Sequence, residues 1–307
     1  MSQRLSQRFL LAGAAGLTAL AFAFAPAAAQ DATLRPRAEA SGVLRVCADP
    51  DNMPASNEKG EGYENKIAEL VAKERHATLE YAWWPIRRGF FARALNGRYC
   101  DVAITAPAGL DMAATTKPYF RSAYVIVYRK DSGLNLTSLD DPKWKQLKIG
   151  VNLLNSDAEN TPPAMAMSAH GVVGNLVGFT TFYSDLARPE DIIKAVADKK
   201  IDAAIVWGPL AGYFAKQSPV PLVLNPILSD STSHIPFAFS IAMGVRRRDR
   251  ELRDSLQTVL DRKQPEIQAI LNDFAVPLVP LTPDSSRATP APAQGKSPGA
   301  GQAAPGR

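Results

Sequence analysis

Side chains able to do covalent chemistry are sparse in these 307 residues. His76, His170 and His234 are the only histidines, and none has a second histidine or a cysteine three or four positions away, so no zinc centre is expected. Gly60-Glu61-Gly62 stops short of a dinucleotide fingerprint, and GVVGNLVG (171–178) reads as a tight surface connection rather than a phosphate loop. Asp49, Asp51 and Asn52 offer the oxygen ligands of a calcium or lanthanide loop but lack the glycine and closing glutamate of one; short polar side chains there ordinarily cap and turn the chain. No catalytic constellation, resident cofactor or metal is therefore read, and the chain is expected not to be an enzyme. Recognition chemistry stands out instead: residues 82–90, AWWPIRRGF, set two indoles beside two guanidinium groups, residue types enriched at binding hot spots.

Hydrophobic periodicity tells which elements carry these groups. VLRVCAD (43–49), LEYAWW (79–84) and CDVAITA (100–106) read as strands, separated by a helix over 66–76 and by one starting at Pro85 with Phe90, Phe91, Ala94 and Leu95 on its apolar face. The alternation continues with strands at 124–130, 147–152, 178–183 and 202–207, and with helices over 163–170, over 189–198 and from Pro209. It ends with a strand at 237–245 and a helix over 251–274 on either side of Pro265. Strands alternating with helices imply parallel βαβ units. They fall into two blocks separated near Arg129–Ser132, and the irregular stretch at 218–236 reads as a second crossing between them. Ligands of such sheets lie outside the carboxyl ends of the strands, which here carry Asp49, Trp84, Thr105, Asn152 and Trp207. Adjacent residues of a strand face opposite ways, so Trp84 is assigned to the cleft and Trp83 to the core.

The ends of the chain speak to compartment. Arg4 and Arg8 precede an apolar stretch, Phe9 to Ala25, and Ala27-Ala28-Ala29 supplies a small-residue cleavage pattern, so residues 1–29 read as a secretory signal. Export to the periplasm follows, with no membrane insertion after cleavage. Residues 281–307 are rich in Pro, Ala, Gly and Ser and read as a disordered tail. With both ends set aside, 30 basic and 29 acidic residues remain in 30–280, a balance that gives no electrostatic footprint for nucleic acid. Cys47 and Cys100 are the only cysteines; an oxidising compartment permits a disulfide, and two buried thiols on neighbouring strands are the alternative.

LRVCADPDNMPASN with GEGYENKIAELVA, then ALNGRYCDVAI and TKPYF, resembles the family 3 periplasmic solute-binding proteins, the two-lobed type II binding proteins of ABC importers. WWPIRRGF, APAGLDM, NTPPAMAMSAHG and AAIVWGPLAGYFA resemble its quinoprotein-dehydrogenase-associated branch, the MoxJ/XoxJ type. The resemblance implies an α/β fold of two lobes, each a mostly parallel sheet flanked by helices, joined by two crossings. Lobe 1 would comprise 30–130 with 229–280, and lobe 2 would comprise 131–228. Amino-acid-binding members place an arginine shortly before the position of Thr115–Tyr119 and an aspartate in the second lobe; this sequence has Ala108-Gly109-Leu110-Asp111 and, by spacing, Trp207. Without those charges a free amino acid would be held poorly.

Two functions follow as expectations. The first is an accessory factor that matures or activates a PQQ-dependent methanol or alcohol dehydrogenase. The second is an importer receptor for a small-molecule ligand other than a free amino acid. In both, the cleft is expected to be lined by Asp49, Asn52, Tyr63, Glu64, Trp84, Arg87, Arg88, Thr105, Asp111, Tyr119, Asn152, Asn155, Trp207 and Tyr213. Arg87 and Arg88 at a helix start have the wrong sign for the helix dipole, which suits an anionic neighbour or solvated side chains.

Overall fold

A computed structural model describes residues 42–87, 89–153, 161–180 and 187–281. The signal at 1–29, the tail beyond Leu281, the end of the strand expected at 178–183, and the candidates Arg88 and Asn155 lie outside them. No helix of the described residues is long and apolar enough to cross a membrane.

Strand β1 (Val43–Ala48) lies parallel to both β4 (Thr78–Trp83) and β5 (Val102–Pro107). Between β1 and β4 come the two-residue strands β2 (Asp51–Asn52) and β3 (Ser56–Asn57), followed by α1 (Tyr63–Glu74). Ile67, Ala68 and Val71 of α1 are fully buried, at the spacing that keeps one helix face on the sheet. Gly62 opens α1 where a Cβ would collide with the Ala55 carbonyl.

The chain then runs through β6 (Ala114–Thr115) into β7 (Phe120–Arg129). Strand β7 changes partners part-way. Phe120–Ala123 pair with β12 (Ala238–Val245), whereas Tyr124–Arg129 pair with β10 (Ala203–Trp207) on one side and β11 (Leu222–Ile227) on the other. The change falls between Ala123 and Tyr124, inside the strand and upstream of Arg129–Ser132. Strands β8 (Ile149–Leu153), β9 (Leu176–Thr180) and β10 are parallel, with α2 (Pro162–Ala169) and α3 (Asp191–Ala197) in the connections. Helix α4 (Gly208–Lys216) follows β10 directly, and α5 (Arg250–Asp273) follows β12. The sheet order is β4-β1-β5-β12-β7-β10-β8-β9. Pairing is parallel except where β7 and β12 enter, matching the expected α/β class.

Two local expectations need correction. Residues 84–86 are neither helix nor strand, the Arg87 amide donating back to the Pro85 carbonyl at 2.9 Å, and the helical segment after Pro85 is a π-helical turn, Phe91–Leu95. Leu222–Ile227 of the irregular stretch 218–236 form strand β11, an edge strand in which Pro226 is tolerated because it pairs only with β7. The 251–274 segment is helical on either side of Pro265, as expected, with the kink at Lys263 (φ −108°, ψ 16°).

Alternation along the strands sorts the core. Leu44, Val46 and Ile104 face α1 and α5, whereas Cys47 and Ala103 on the same strands face Phe90, Ala94 and Leu95 on the other side. Ile126, Ile149 and Ile205 pack with Trp144 and Met167, while Val125, Val127 and Val206 pack with Ile192 and Val196 of α3.

Candidate functional site

The carboxyl ends of β1 and β4 are stapled together. Asp49, almost fully buried, accepts from the Asp51 amide at 3.0 Å and, with its other oxygen, from the Ile86 amide at 2.6 Å. Ser56 accepts the Asp49 amide at 3.1 Å and donates to the Asp49 carbonyl at 2.8 Å. The Asp49 carboxylate is thereby spent on backbone, the turn-forming use that short polar residues favour. Trp84, whose amide donates to the Ala48 carbonyl at 2.8 Å, lies just before the stapled Ile86. Its ring is half-buried against the cluster holding Cys47, Cys100 and Phe90, 5.4 Å from the ring of Tyr99. Trp83, on the opposite face, stacks on Tyr81 at 4.6 Å and joins the main core cluster, which Trp207 also touches. Cys47 and Cys100 are disulfide-bonded with Cα atoms 5.2 Å apart, which settles the alternative left open by the sequence.

Glu64, at the start of α1, is buried and accepts a hydrogen bond from Thr105 of β5. Burial is the main cause that pushes its pKa from 4.5 up to about 7; Thr105 opposes the shift and the Asp49 charge adds to it. Tyr119 donates to the Ile104 carbonyl at 3.0 Å. Tyr63 sits edge-on to Phe120 at 6.4 Å and to Phe274 at 6.0 Å. Both tyrosines are core residues rather than cleft walls, and burial raises both phenol pKa values. Tyr213 of α4 stacks on the far neighbour Phe274 at 5.6 Å.

Trp207 ends β10 and forms the N-cap of α4. Its half-exposed ring meets Tyr124 at 5.4 Å and Phe239 at 5.9 Å, both edge-on, so β7, β10 and β12 each contribute one aromatic where β7 changes partners. Gly208 fits beneath because a Cβ there would lie 2.5 Å from the Ala123 carbonyl oxygen. Tyr124 and Phe239 were missed by sequence reasoning; only their alternation within apolar strands could have suggested them.

The remaining candidates are scattered. Asn152 is buried, donates to the Thr180 carbonyl at 3.3 Å and takes the Thr161 hydroxyl on its own carbonyl at 2.6 Å. Asn52 belongs to the β2–β3 hairpin, Arg87 is exposed just after the stapled Ile86, and Asp111 is exposed elsewhere, beside Met112. Among the described residues no ring contact joins Trp84 to Trp207. Tertiary contact also brings together a group that spacing did not reveal. His170 Nε2 lies 2.8 Å from buried Asp230, and Nδ1 lies 3.7 Å from Asp140. Burial raises the Asp230 pKa, but hydrogen bonds from Ser233 and His170 outweigh it and hold the carboxyl below its usual value.

A mostly parallel sheet crossed by β7 and β12, with polar and aromatic residues at the carboxyl ends of its strands, defines the class of the type II periplasmic binding proteins. No protein-family model matches the chain. It is 31% identical over 282 residues to Protein MoxJ of Methylorubrum extorquens AM1, covering 87% of this chain and 94% of that protein. In structure it is similar to periplasmic binding protein XoxJ from Methylobacterium extorquens AM1, with 38% identity and a TM-score of 0.64 over 78% of this chain and 100% of that one. MxaJ from Methlophaga aminisulfidivorans MPT gives 26% identity and a TM-score of 0.69 over 77% of this chain and 100% of that one. The chain belongs to the MoxJ/XoxJ family of binding-protein-like proteins.

Proposed function

We propose that the protein is a periplasmic accessory factor of a PQQ-dependent methanol or alcohol dehydrogenase, that it matures or activates that enzyme by binding part of it in an aromatic-lined cleft, and that it catalyses no reaction itself. Family membership supports the dehydrogenase association, and the description of the XoxJ relative as a periplasmic binding protein supports the compartment. The cleft would lie between lobe 1, residues 30–130 with 229–280, and lobe 2, residues 131–228; the change of partners along β7 supports two lobes. Trp207 carries the reading. Its half-buried ring stands at a strand's carboxyl end, where a receptor for zwitterions needs charge, while the candidate carboxylates Asp49 and Glu64 are engaged by backbone amides and Thr105. A half-buried aromatic wall suits an apolar protein segment.

The solute-binding fold favours a second reading, an importer receptor for a small solute other than a free amino acid. Affinity capture from periplasm, with mass spectrometry of proteins and small molecules, separates the two. The accessory reading expects the dehydrogenase to be recovered with the wild type and reduced with Trp207→Ala, at unchanged far-UV dichroism. Recovery of a permease and a solute without a dehydrogenase would sink it.

A further inference from the structure

Near the disulfide, a concavity of about 580 Å³ opens beside the start of α5, lined among others by Arg98, Asp111, Met112, Arg247 and Arg248. The arginines here behave in two ways. Arg246, also in the lining, is structural: its guanidinium is 2.7 Å from fully buried Asp101, which Arg45 holds at 2.7 Å from another direction, and 2.6 Å from Asp249. Arg98, Arg247 and Arg248 are exposed, and among the described residues their side chains make no ion pair or hydrogen bond; neither does Asp111. Three unpaired cations thus face one unpaired anion.

The helix behind them adds to the imbalance. Arg247 and Arg248 directly precede Asp249, the N-cap of the 24-residue α5, so they stand at the positive end of its dipole. The Asp249 side chain makes no capping hydrogen bond; it pairs with Arg246 instead. Asp111, Asp249 and Glu251 offset this concentration of positive charge only in part, since Asp249 is already paired with Arg246. Two large apolar side chains are left exposed, Met112 of the lining at 44% and Tyr99, next to Arg98 in the chain, at 46%, the latter leaning on Trp84. Arginine, tyrosine and methionine are the types enriched in protein interfaces. The ground beneath is stiff, because the Cys47–Cys100 bond and the doubly paired Asp101 fix it, so little ordering cost would oppose association.

We propose that this surface docks an acidic patch of the partner dehydrogenase, with carboxylates on Arg98, Arg247 and Arg248 and an apolar side chain over Met112 and Tyr99. The proposal rests on the accessory-factor reading and adds to it a second contact. That contact is on the Cys47 side of the β4-β1-β5 sheet, whereas Trp207 packs on the Val46 side.

The test measures binding of the mature full-length chain to the purified dehydrogenase by calorimetry, at about 50 and 200 mM salt, since screening weakens exposed charge pairs. The wild type is expected to bind more weakly at the higher salt. The charge-reversed Arg98→Glu/Arg247→Glu/Arg248→Glu chain should lose about tenfold or more in affinity at low salt together with most of the salt dependence. Arg98→Gln/Arg247→Gln/Arg248→Gln, with an unchanged melting temperature, should show the same trend more weakly and covers a folding failure of the first variant. Wild-type affinity and salt response in a folded triple variant would overturn the docking surface while leaving the accessory reading standing. Absence of any wild-type binding to the dehydrogenase would overturn both.

Discussion

Two tryptophans stand where strands end, Trp207 as the last residue of β10 and Trp84 just after β4, and each has a proline within two residues, yet their surroundings differ. Trp207-Gly208-Pro209 turns at once into α4, because Gly208 fits against the Ala123 carbonyl and Pro209 suits the first turn of a helix. Its ring is left among Tyr124 and Phe239, where β7 passes from one set of partners to the other. Trp84-Pro85-Ile86 stays non-helical, with the Asp49 carboxylate capturing the Ile86 amide at 2.6 Å, and the Trp84 ring lies over the disulfide cluster. The difference teaches that the residue after a strand's last aromatic decides where that aromatic looks. A carboxylate staple turns one tryptophan into a platform, and a glycine leaves the other as a wall.

The strongest way to break the contrast is at the disulfide, which underlies the Trp84 region and not that of Trp207. Cys47 and Cys100 are 53 residues apart, and chain entropy assigns a loop of that size a stabilisation of about 4 kcal/mol. Cys47→Ser/Cys100→Ser is expected to lower the denaturation free energy by roughly that amount. Amide exchange should rise most across residues 84–100 and least across β10 and α4. Equal acceleration in both regions would show that the two tryptophan sites are not independent.

A smaller effect, of opposite sign, is expected at Glu64. Its folded pKa of about 7 exceeds the ordinary 4.5, so the unfolded chain ionises first as pH rises. Wild-type stability is therefore unpenalised below pH 4.5, falls between 4.5 and about 7, and stays reduced above, by about 3 kcal/mol in all. Glu64→Gln should remove that slope, making the variant the more stable chain above pH 7 and no more stable than wild type near pH 4. Parallel stability curves for the two proteins would show that Glu64 does not titrate in this window.

Much of the frame was legible in the sequence because alternating apolar strands and amphipathic helices obey local rules. The strands at Val43–Ala48, Val102–Pro107 and Ala203–Trp207 fall where periodicity places them. Strand β11 was not legible, since Pro219, Pro221 and Pro226 in and before it read as loop punctuation and only its edge position excuses Pro226. Tyr63 and Tyr119 have the types of binding residues but the burial of core, and type alone does not distinguish the two. The clamp of His170 between Asp140 and Asp230 joins segments 30 and 60 residues from the histidine, a contact that no local spacing encodes. Nor could the sequence tell free arginines from structural ones, because Arg246 and Arg247 are neighbours with opposite roles.

The smallest effect sharpens the comparison most directly, because it acts on the staple alone. Asp49→Ala removes the acceptor of two backbone amides and leaves the Ile86 amide in a part-buried place without its partner. The expected loss is about 1–2 kcal/mol of stability, the cost of hydrogen bonds to a charged acceptor offset by water reaching the exposed loop. The more telling readout is local. Arg87 is exposed just beyond the staple, so freeing Ile86 should raise the rate of tryptic cleavage after Arg87 under native conditions. Cleavage within α4 after Lys216 should keep its wild-type rate. If cleavage after Arg87 is unchanged while global stability falls, the non-helical path of Trp84-Pro85-Ile86 is set by packing on the disulfide cluster, and the contrast between the two tryptophans must be explained without the carboxylate.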